Sequence, residues 1–315
     1  MVERWDSKLP SLTPAVRLSF AVLLVCVGSI AQTAVKGEDM GYVFVNQEHV
    51  PWPSPESVLR DLRSADEQVR LSALKLAGLQ AQQAHEAVWS QSHEAPSKII
   101  GQVVVTPDRA ELIYASLGKG ADQQAIIAFG LSSFQYAAVA VQEGQHWTRV
   151  ASFNCWCKYD MAPAQDALAE FVSLHSAPEP GPAKPPHYEL VVRSSGGGTG
   201  IYTQNEAHFR IYRNDLRLVL SFVSGHRTND PTGPSPSWVY LEKRWFTVYG
   251  DAGGILVEAK GKFSAQRSPE IEWTVRALQD MHLRQMTCRS YRWNADKFRY
   301  EPLNGEVTAC KAPIN

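Results

Sequence analysis

The sequence predicts a mainly β protein with a short helical pair near its N-terminus, an α+β chain whose strands run as an antiparallel meander of hairpins. Three observations carry this. His187–Ser224 reads as three strands in succession: Tyr188–Arg193 is apolar and β-branched, Ala207–Tyr212 alternates, and Leu216–Phe222 alternates again, with Arg213-Asn214-Asp215 at hairpin spacing. Nine tryptophans, eleven tyrosines and eleven phenylalanines suit pleated surfaces. Helical spacing is concentrated in one segment, residues 54–93. A β-sandwich or an incomplete propeller-like arrangement accommodates such a chain.

The N-terminus comes first. Leu18–Ala31 (LSFAVLLVCVGSIA) is apolar and uncharged, follows Arg17, and is shorter than the roughly 20 residues that span a bilayer. Ser29 and Ala31 fit the −3 and −1 positions of a signal-peptidase site, and Ala34 offers a second end. Residues 1–31 therefore read as a signal peptide and the protein as secreted or periplasmic. After cleavage it is not an integral membrane protein; an uncleaved N-terminal anchor is the alternative. Removal of the leader leaves Cys155, Cys157, Cys288 and Cys310, which allow three pairings. A Cys288–Cys310 disulfide would tie down the C-terminal tail. Cys155-Trp156-Cys157 has too short a spacer for a usual thiolate metal pair, so no metal site is assigned.

Residues 32–53 form a lead-in. Tyr42–Val45 is a candidate edge strand, and Trp52 stands between two prolines at a stiff junction. The helical pair follows. Ser54 is a candidate N-cap with Pro55 at the first helical position. Val58, Leu59 and Leu62 line one face. Ser64-Ala65-Asp66-Glu67 fits a capping box opening a second helix. That helix carries Val69, Ala73, Leu76 and Ala77 and is expected to run on toward Trp89 through Gly78. Val58-Leu59, Leu62, Ser64, Asp66, Val69-Arg70, Ala73 and Leu76–Gly78 resemble a single HEAT-type repeat over residues 55–82. Such repeats bury a continuous core only as stacks, and no second copy follows. The pair is therefore expected to pack on the β-region, with Arg70 reaching a carbonyl or carboxylate.

Residues 98–315 read as the β-rich domain. Ile99–Val105, Glu111–Leu117, Ala125–Phe129, Tyr136–Val141 and Trp147–Phe153 are strand candidates, and Pro163–Glu170 a short helix. The connector 177–187 holds five prolines and reads as extended. Gly225–Ser237 reads as a long loop. Trp238–Tyr249, Gly254–Phe263, Glu272–Ala277 and Thr287–Trp293 complete the strands. Three stretches, Ala137–Phe153, Ala207–Phe222 and Tyr291–Tyr300, share one hairpin layout. By the two-residue period Leu216, Leu218, Leu220 and Phe222 fall on one face.

Chemistry is sparse. A net charge of −1 and the absence of a long Lys/Arg run argue against a nucleic-acid partner. Gly196-Gly197-Gly198-Thr199-Gly200 lacks the lysine and following helix of a phosphate loop, and reads as a connector between strands. The nine histidines form no metalloprotease motif and no serine-hydrolase elbow is present. His226 and Arg227, with Trp238 and Tyr240 beyond the loop, are the candidate ligand-binding residues, for an anionic or sugar group. No cofactor and no catalytic residue is assigned. The expected function is a non-catalytic binding or structural role toward a protein or carbohydrate. The alternatives are a secreted hydrolase with a site built from scattered residues, and an interaction module that uses the helical pair.

Overall fold

A computed structural model describes residues 43–79, 110–118, 123–131, 134–155, 171–177, 187–198, 201–229, 238–248, 252–264, 285–303 and 308–309. All of them belong to the unit Ala34–Asn315. The expected strands Ile99–Val105 and Glu272–Ala277, the helix Pro163–Glu170, residues 80–93 of the helical segment, Cys157 and Cys310 lie outside the described residues.

The strands fall into two antiparallel sheets, and the fold is mainly β with two helices, as the sequence predicts. The six-stranded sheet runs β1 (Val43–Asn46), β6 (His146–Cys155), β5 (Phe134–Glu143), β4 (Gln124–Leu131), β3 (Ala110–Ala115), with β2 (Val50–Trp52) also on β6. The nine-stranded sheet is a meander. It runs in sequence order from β7 (Val172–Ala177) through β8 (His187–Gly198), β9 (Ile201–Tyr212), β10 (Asp215–Asn229), β11 (Trp238–Val248) and β12 (Gly254–Ser264) to β13 (Gln285–Asn294) and β14 (Arg299–Pro302), with β15 (Thr308–Ala309) on β13. The three look-alike hairpins are β5–β6, β9–β10 and β13–β14, and they belong to two different sheets.

Helices α1 (Pro55–Leu62) and α2 (Glu67–Leu76) cover one face of the six-stranded sheet. Val58, Leu62, Ala73 and Leu74 pack there on Ile127, Phe129, Tyr136, Ala138 and Ala140. The alternate residues Ile126, Ala128, Ala137, Val139 and Val141 face the nine-stranded sheet and meet Leu190, Val192, Phe209 and Ile211. Burial on both faces explains why β5 reads as an unbroken apolar run rather than an alternation.

The helix ends differ from expectation in two ways. Ser54 caps α1 as predicted, its Oγ accepting from the Ser57 amide at 3.1 Å. The cap of α2 is Asp66, not Ser64: the Asp66 carboxylate accepts from Gln68 and Val69, while the Ser64 hydroxyl accepts from the Asp66 amide. An ionised oxygen at the helix N-terminus outcompetes a hydroxyl two residues earlier. The second helix also stops at Leu76 instead of passing through Gly78. Gly78 has φ +93°, and Gly78 and Leu79 donate to Lys75 and Leu74, which closes the helix in a Schellman motif. A side chain at Gly78 would collide with Ser152 and the Arg149 guanidinium. Arg70 reaches the carbonyls of Ser64 and Ala65, both at 2.8 Å, and so braces the inter-helix turn.

The expected single face of Leu216, Leu218, Leu220 and Phe222 does not form. A β-bulge between Leu218 and Leu220 inserts Val219 as an extra residue. Leu216 and Leu218 therefore pack between the sheets, whereas Leu220 and Phe222 pack on the opposite face with Phe246, Val248 and Tyr300. One inserted residue exchanges the faces of Leu220 and Phe222, and a second register shift follows between Val223 and Gly225. β10 also runs on to Asn229, so the first part of the expected loop 225–237 is strand. The glycine run 196–198 likewise ends β8, paired to Ile201–Thr203 of β9. The β9–β10 turn is Arg213-Asn214, both at positive φ (50° and 66°), the backbone of a two-residue type I′ hairpin.

Candidate functional site

The nine-stranded sheet curls without closing. Its last long hairpin returns over β8 to β10, so Tyr300 of β14 packs in one cluster with Val219, Leu220 and Phe222 of β10. Inside the curl, β9 presents Glu206, His208 and Arg210, all buried, while Ala207, Phe209 and Ile211 face the other way into the core between the sheets. Over residues 206–211 the strand thus carries one apolar face and one charged face, and both are covered.

Register builds the rest. Arg193 of β8 lies directly opposite Glu206, and its Nε donates to Glu206 Oε2 at 2.7 Å. Val191 lies opposite His208, which places Glu189 diagonally across from the imidazole. His208 Nδ1 meets Glu189 Oε2 at 2.9 Å and Nε2 meets Glu206 Oε1 at 2.8 Å, with the imidazole and the Glu189 side chain fully buried. Carboxylates only accept, so both ring nitrogens carry protons and His208 is an imidazolium. Burial works against that charge, but the two carboxylates outweigh it and hold the His208 pKa above its ordinary value. Burial likewise opposes ionisation of Glu206; the His208 and Arg193 charges prevail and bring its pKa down to about 2.

β7 and β14 complete the cluster. His175, opposite Glu189, has Nε2 at 3.2 Å from Arg193 Nη2. A guanidinium can only donate, so this nitrogen accepts and His175 is neutral. Burial, then the neighbouring His208 charge, lower its pKa. Arg193 Nη1 donates to Ser173 Oγ at 2.9 Å. The Tyr300 hydroxyl donates to Glu189 Oε1 at 2.5 Å, and the rings of Phe222 and Phe246 flank His208. Nearby Lys243 is pulled down to about 8 by burial and the Arg193 charge, against the pull of Glu206.

One ligand atom each from His175, Glu206 and His208 lies within 4.8 Å of the others, a spacing that admits a metal ion. The donors are already committed. Both His208 nitrogens bind carboxylates, and the Arg193 guanidinium bridges Glu206 and His175. A cation would have to displace that guanidinium and a proton from His208. The cluster is chemically a set of internal ion pairs.

The sequence-predicted residues sit elsewhere, at the β10–β11 end. His226 pairs in register with Glu242, Thr228 with Tyr240, Arg227 with Leu241, and Asn229 with Val239, next to Trp238. His226 Nδ1 lies 3.3 Å from Thr203 Oγ1. The register brings all four positions to one hairpin end, with Arg227 out of phase with the other three; the Trp238 and Tyr240 side chains lie outside what is described. Beyond them Glu242, Arg244, Glu258 and Lys260 form a cross-strand network: Arg244 pairs with Glu242 and with Glu258 (2.8 Å), and Lys260 with Glu258 (2.9 Å). Burial and Glu258 raise the Glu242 pKa; Glu258, despite burial, is held at about 2 by hydrogen bonds from Glu242, Lys260 and Arg244.

The cavity of about 530 Å³ beside α1 is lined by Glu56, Leu59, Arg60, Asp61, Arg63 and Ser64. Arg60 is paired with Asp61, and Arg63 donates to the Ala110 carbonyl, so its charged lining serves the fold. Cys310, the partner expected for Cys288 from sequence, is outside the described residues. No helix among the described residues is long and apolar enough to cross a membrane.

The buried cluster was accessible in principle from Glu206-x-His208-x-Arg210, three ionisable residues at period two that alternate with the apolar Ala207, Phe209 and Ile211. Its partners Glu189, Arg193 and Tyr300 come from elements whose proximity is set by register and by the curl of the sheet. Comparison with protein families, curated proteins and solved structures gives no match for this chain.

Proposed function

We propose that the protein is exported and acts without catalysis, as a rigid β scaffold that binds a protein or carbohydrate. The observation that carries this reading is the closed bonding of the Glu189–His208–Glu206–Arg193 cluster. Each His208 nitrogen, the Arg193 Nε, Nη1 and Nη2, and both Glu189 oxygens engage another protein group. Groups so committed rigidify a fold and are poor reagents for moving protons to a substrate. Export rests on the leader, with cleavage after Ala31 or Ala34. It fits a disulfide between Cys288 and Cys310, because Thr308–Ala309 pairs with Thr287–Cys288. That bridge would contribute about 3 kcal/mol. The ligand end is assigned to His226, Arg227, Trp238 and Tyr240.

One observation favours a hydrolase instead. Glu242 and Glu258 are adjacent carboxylates pushed in opposite directions, the pattern of an acid and a base. The mature chain and its Glu258→Gln and Arg227→Ala variants, tested on immobilised polysaccharides, co-secreted proteins and a panel of esters and glycosides, separate the two. The scaffold reading expects saturable binding that weakens in Arg227→Ala, with no turnover. Turnover that disappears in the folded Glu258→Gln variant would establish the hydrolase.

A further inference from the structure

We propose that the Glu189–His208–Glu206 cluster is a proton-controlled latch: protonated His208 holds β14 onto the curled sheet through Glu189 and Tyr300, and loss of that single proton loosens β14. Glu189 is the hub. Its Oε2 accepts from His208 of β9 and its Oε1 from Tyr300 of β14, across 111 residues of sequence. β14 is four residues long and pairs with β13. Within β14 the Tyr300 side chain reaches the rest of the sheet, seated on Phe246 and Trp293 with its hydroxyl on Glu189, while Trp293 and Phe298 of the same hairpin pack on Arg210 and Tyr212 of β9.

The charges facing His208 decide where a lost proton is felt. β7 supplies neutral His175, β8 supplies Glu189 and Arg193, β9 supplies Glu206 and the buried Arg210, β11 supplies Lys243 and β14 supplies Tyr300; β10 supplies the Phe222 ring. With His208 charged, two anions face two cations at hydrogen-bond distance. Without its proton, Glu206 keeps Arg193, but Glu189 loses the charged partner on its Oε2 and keeps the Tyr300 hydroxyl on its Oε1, with the Arg210 guanidinium buried on the same face of β9. A buried carboxylate that loses a hydrogen-bonded charged partner is disfavoured. Hydration of Glu189 then requires that Tyr300 move aside, which loosens the four-residue strand β14.

The sign follows from the shift. The pKa of His208 is raised in the closed form, so the latch is at full strength below about pH 6.5, the ordinary histidine value, and weakens as pH rises through the higher closed-state value. Lys243 has the opposite sign: its lowered pKa makes its contribution improve with rising pH above about 8.

Native-state hydrogen exchange of the full chain between about pH 6 and pH 9, corrected for intrinsic rates, tests the latch. The opening constant of the β14 amides of Arg299–Glu301 is expected to rise about tenfold per pH unit over the window in which His208 alone titrates, with β4 and β5 unchanged. In Tyr300→Phe, β14 is expected to exchange fast at every pH without that slope. In His208→Gln the same fast, pH-independent exchange is expected, with retained β4–β5 protection as the check on folding. Lys243→Gln is expected to keep the wild-type slope. A flat β14 profile in the wild-type protein, a slope that survives in Tyr300→Phe, or a slope abolished by Lys243→Gln would each overturn the proposal.

Discussion

The Tyr300 hydroxyl donates to Glu189 across 2.5 Å, and this one contact joins the two ends of a seven-strand run from β8 to β14. It is a bond to a buried, charged acceptor, so its loss leaves that acceptor short of a partner. Tyr300→Phe keeps the ring on Phe246 and Trp293 and removes only the oxygen. Urea unfolding should show a loss of about 1.5–3 kcal/mol, the range for hydrogen bonds to charged groups.

Removing the central cation should cost more. His208→Leu leaves Glu189 and Glu206 in a buried site without the cation hydrogen-bonded to both, and a loss of about 3–5 kcal/mol is expected. Replacing His208, Glu189, Glu206 and Arg193 together by apolar residues should cost less than His208→Leu alone, because no charge is then stranded. Equilibrium unfolding of both proteins gives the comparison.

Acid should attack the same cluster through Glu206. Its pKa is lowered to about 2, so its contribution is present above the ordinary carboxylate value near 4.5 and is lost as pH falls from there toward 2. Thermal unfolding followed through this acid range should show a steeper decline in the wild-type protein than in Glu206→Gln, which has no proton to take up at that position.

The bulge at Val219 separates two cores. Leu216→Ala empties space between the sheets and Leu220→Ala empties space inside the curl, each at about 2–5 kcal/mol. The two losses should add to within about 0.5 kcal/mol, as for independent sites. Strong non-additivity would show a shared core instead.

Gly78 is predicted to resist substitution. Its φ of +93° and the closeness of Ser152 and Arg149 both penalise a side chain. Gly78→Ala should lower stability by more than about 1 kcal/mol, measured by thermal unfolding against a Gly144→Ala control, whose added methyl meets open space although its φ is also positive.

The mainly β class, the helical pair, the Ser54 cap and the three hairpins were legible in the sequence, because each rests on local periodicity and turn chemistry. The Val219 bulge was not, because β10 alternates on both sides of it and nothing in LRLVLSF marks the extra residue. The stop at Gly78 was not legible, since the polar, alanine-rich residues after it keep helical character. The candidate ligand residues were chosen by loop position, whereas the buried cluster joins four strands and depends on register. His208 looked like one scattered histidine until β8 and β14 were placed beside it.

The central claim is that His208 is a buried imidazolium held between Glu189 and Glu206. Nitrogen-15 NMR of histidine-labelled protein near neutral pH reads it directly. Both His208 ring nitrogens should carry slowly exchanging protons, each lost as a hydrogen-bonded signal in the matching Glu189→Gln or Glu206→Gln variant. A single protonated ring nitrogen, the mark of a neutral imidazole, would contradict the account.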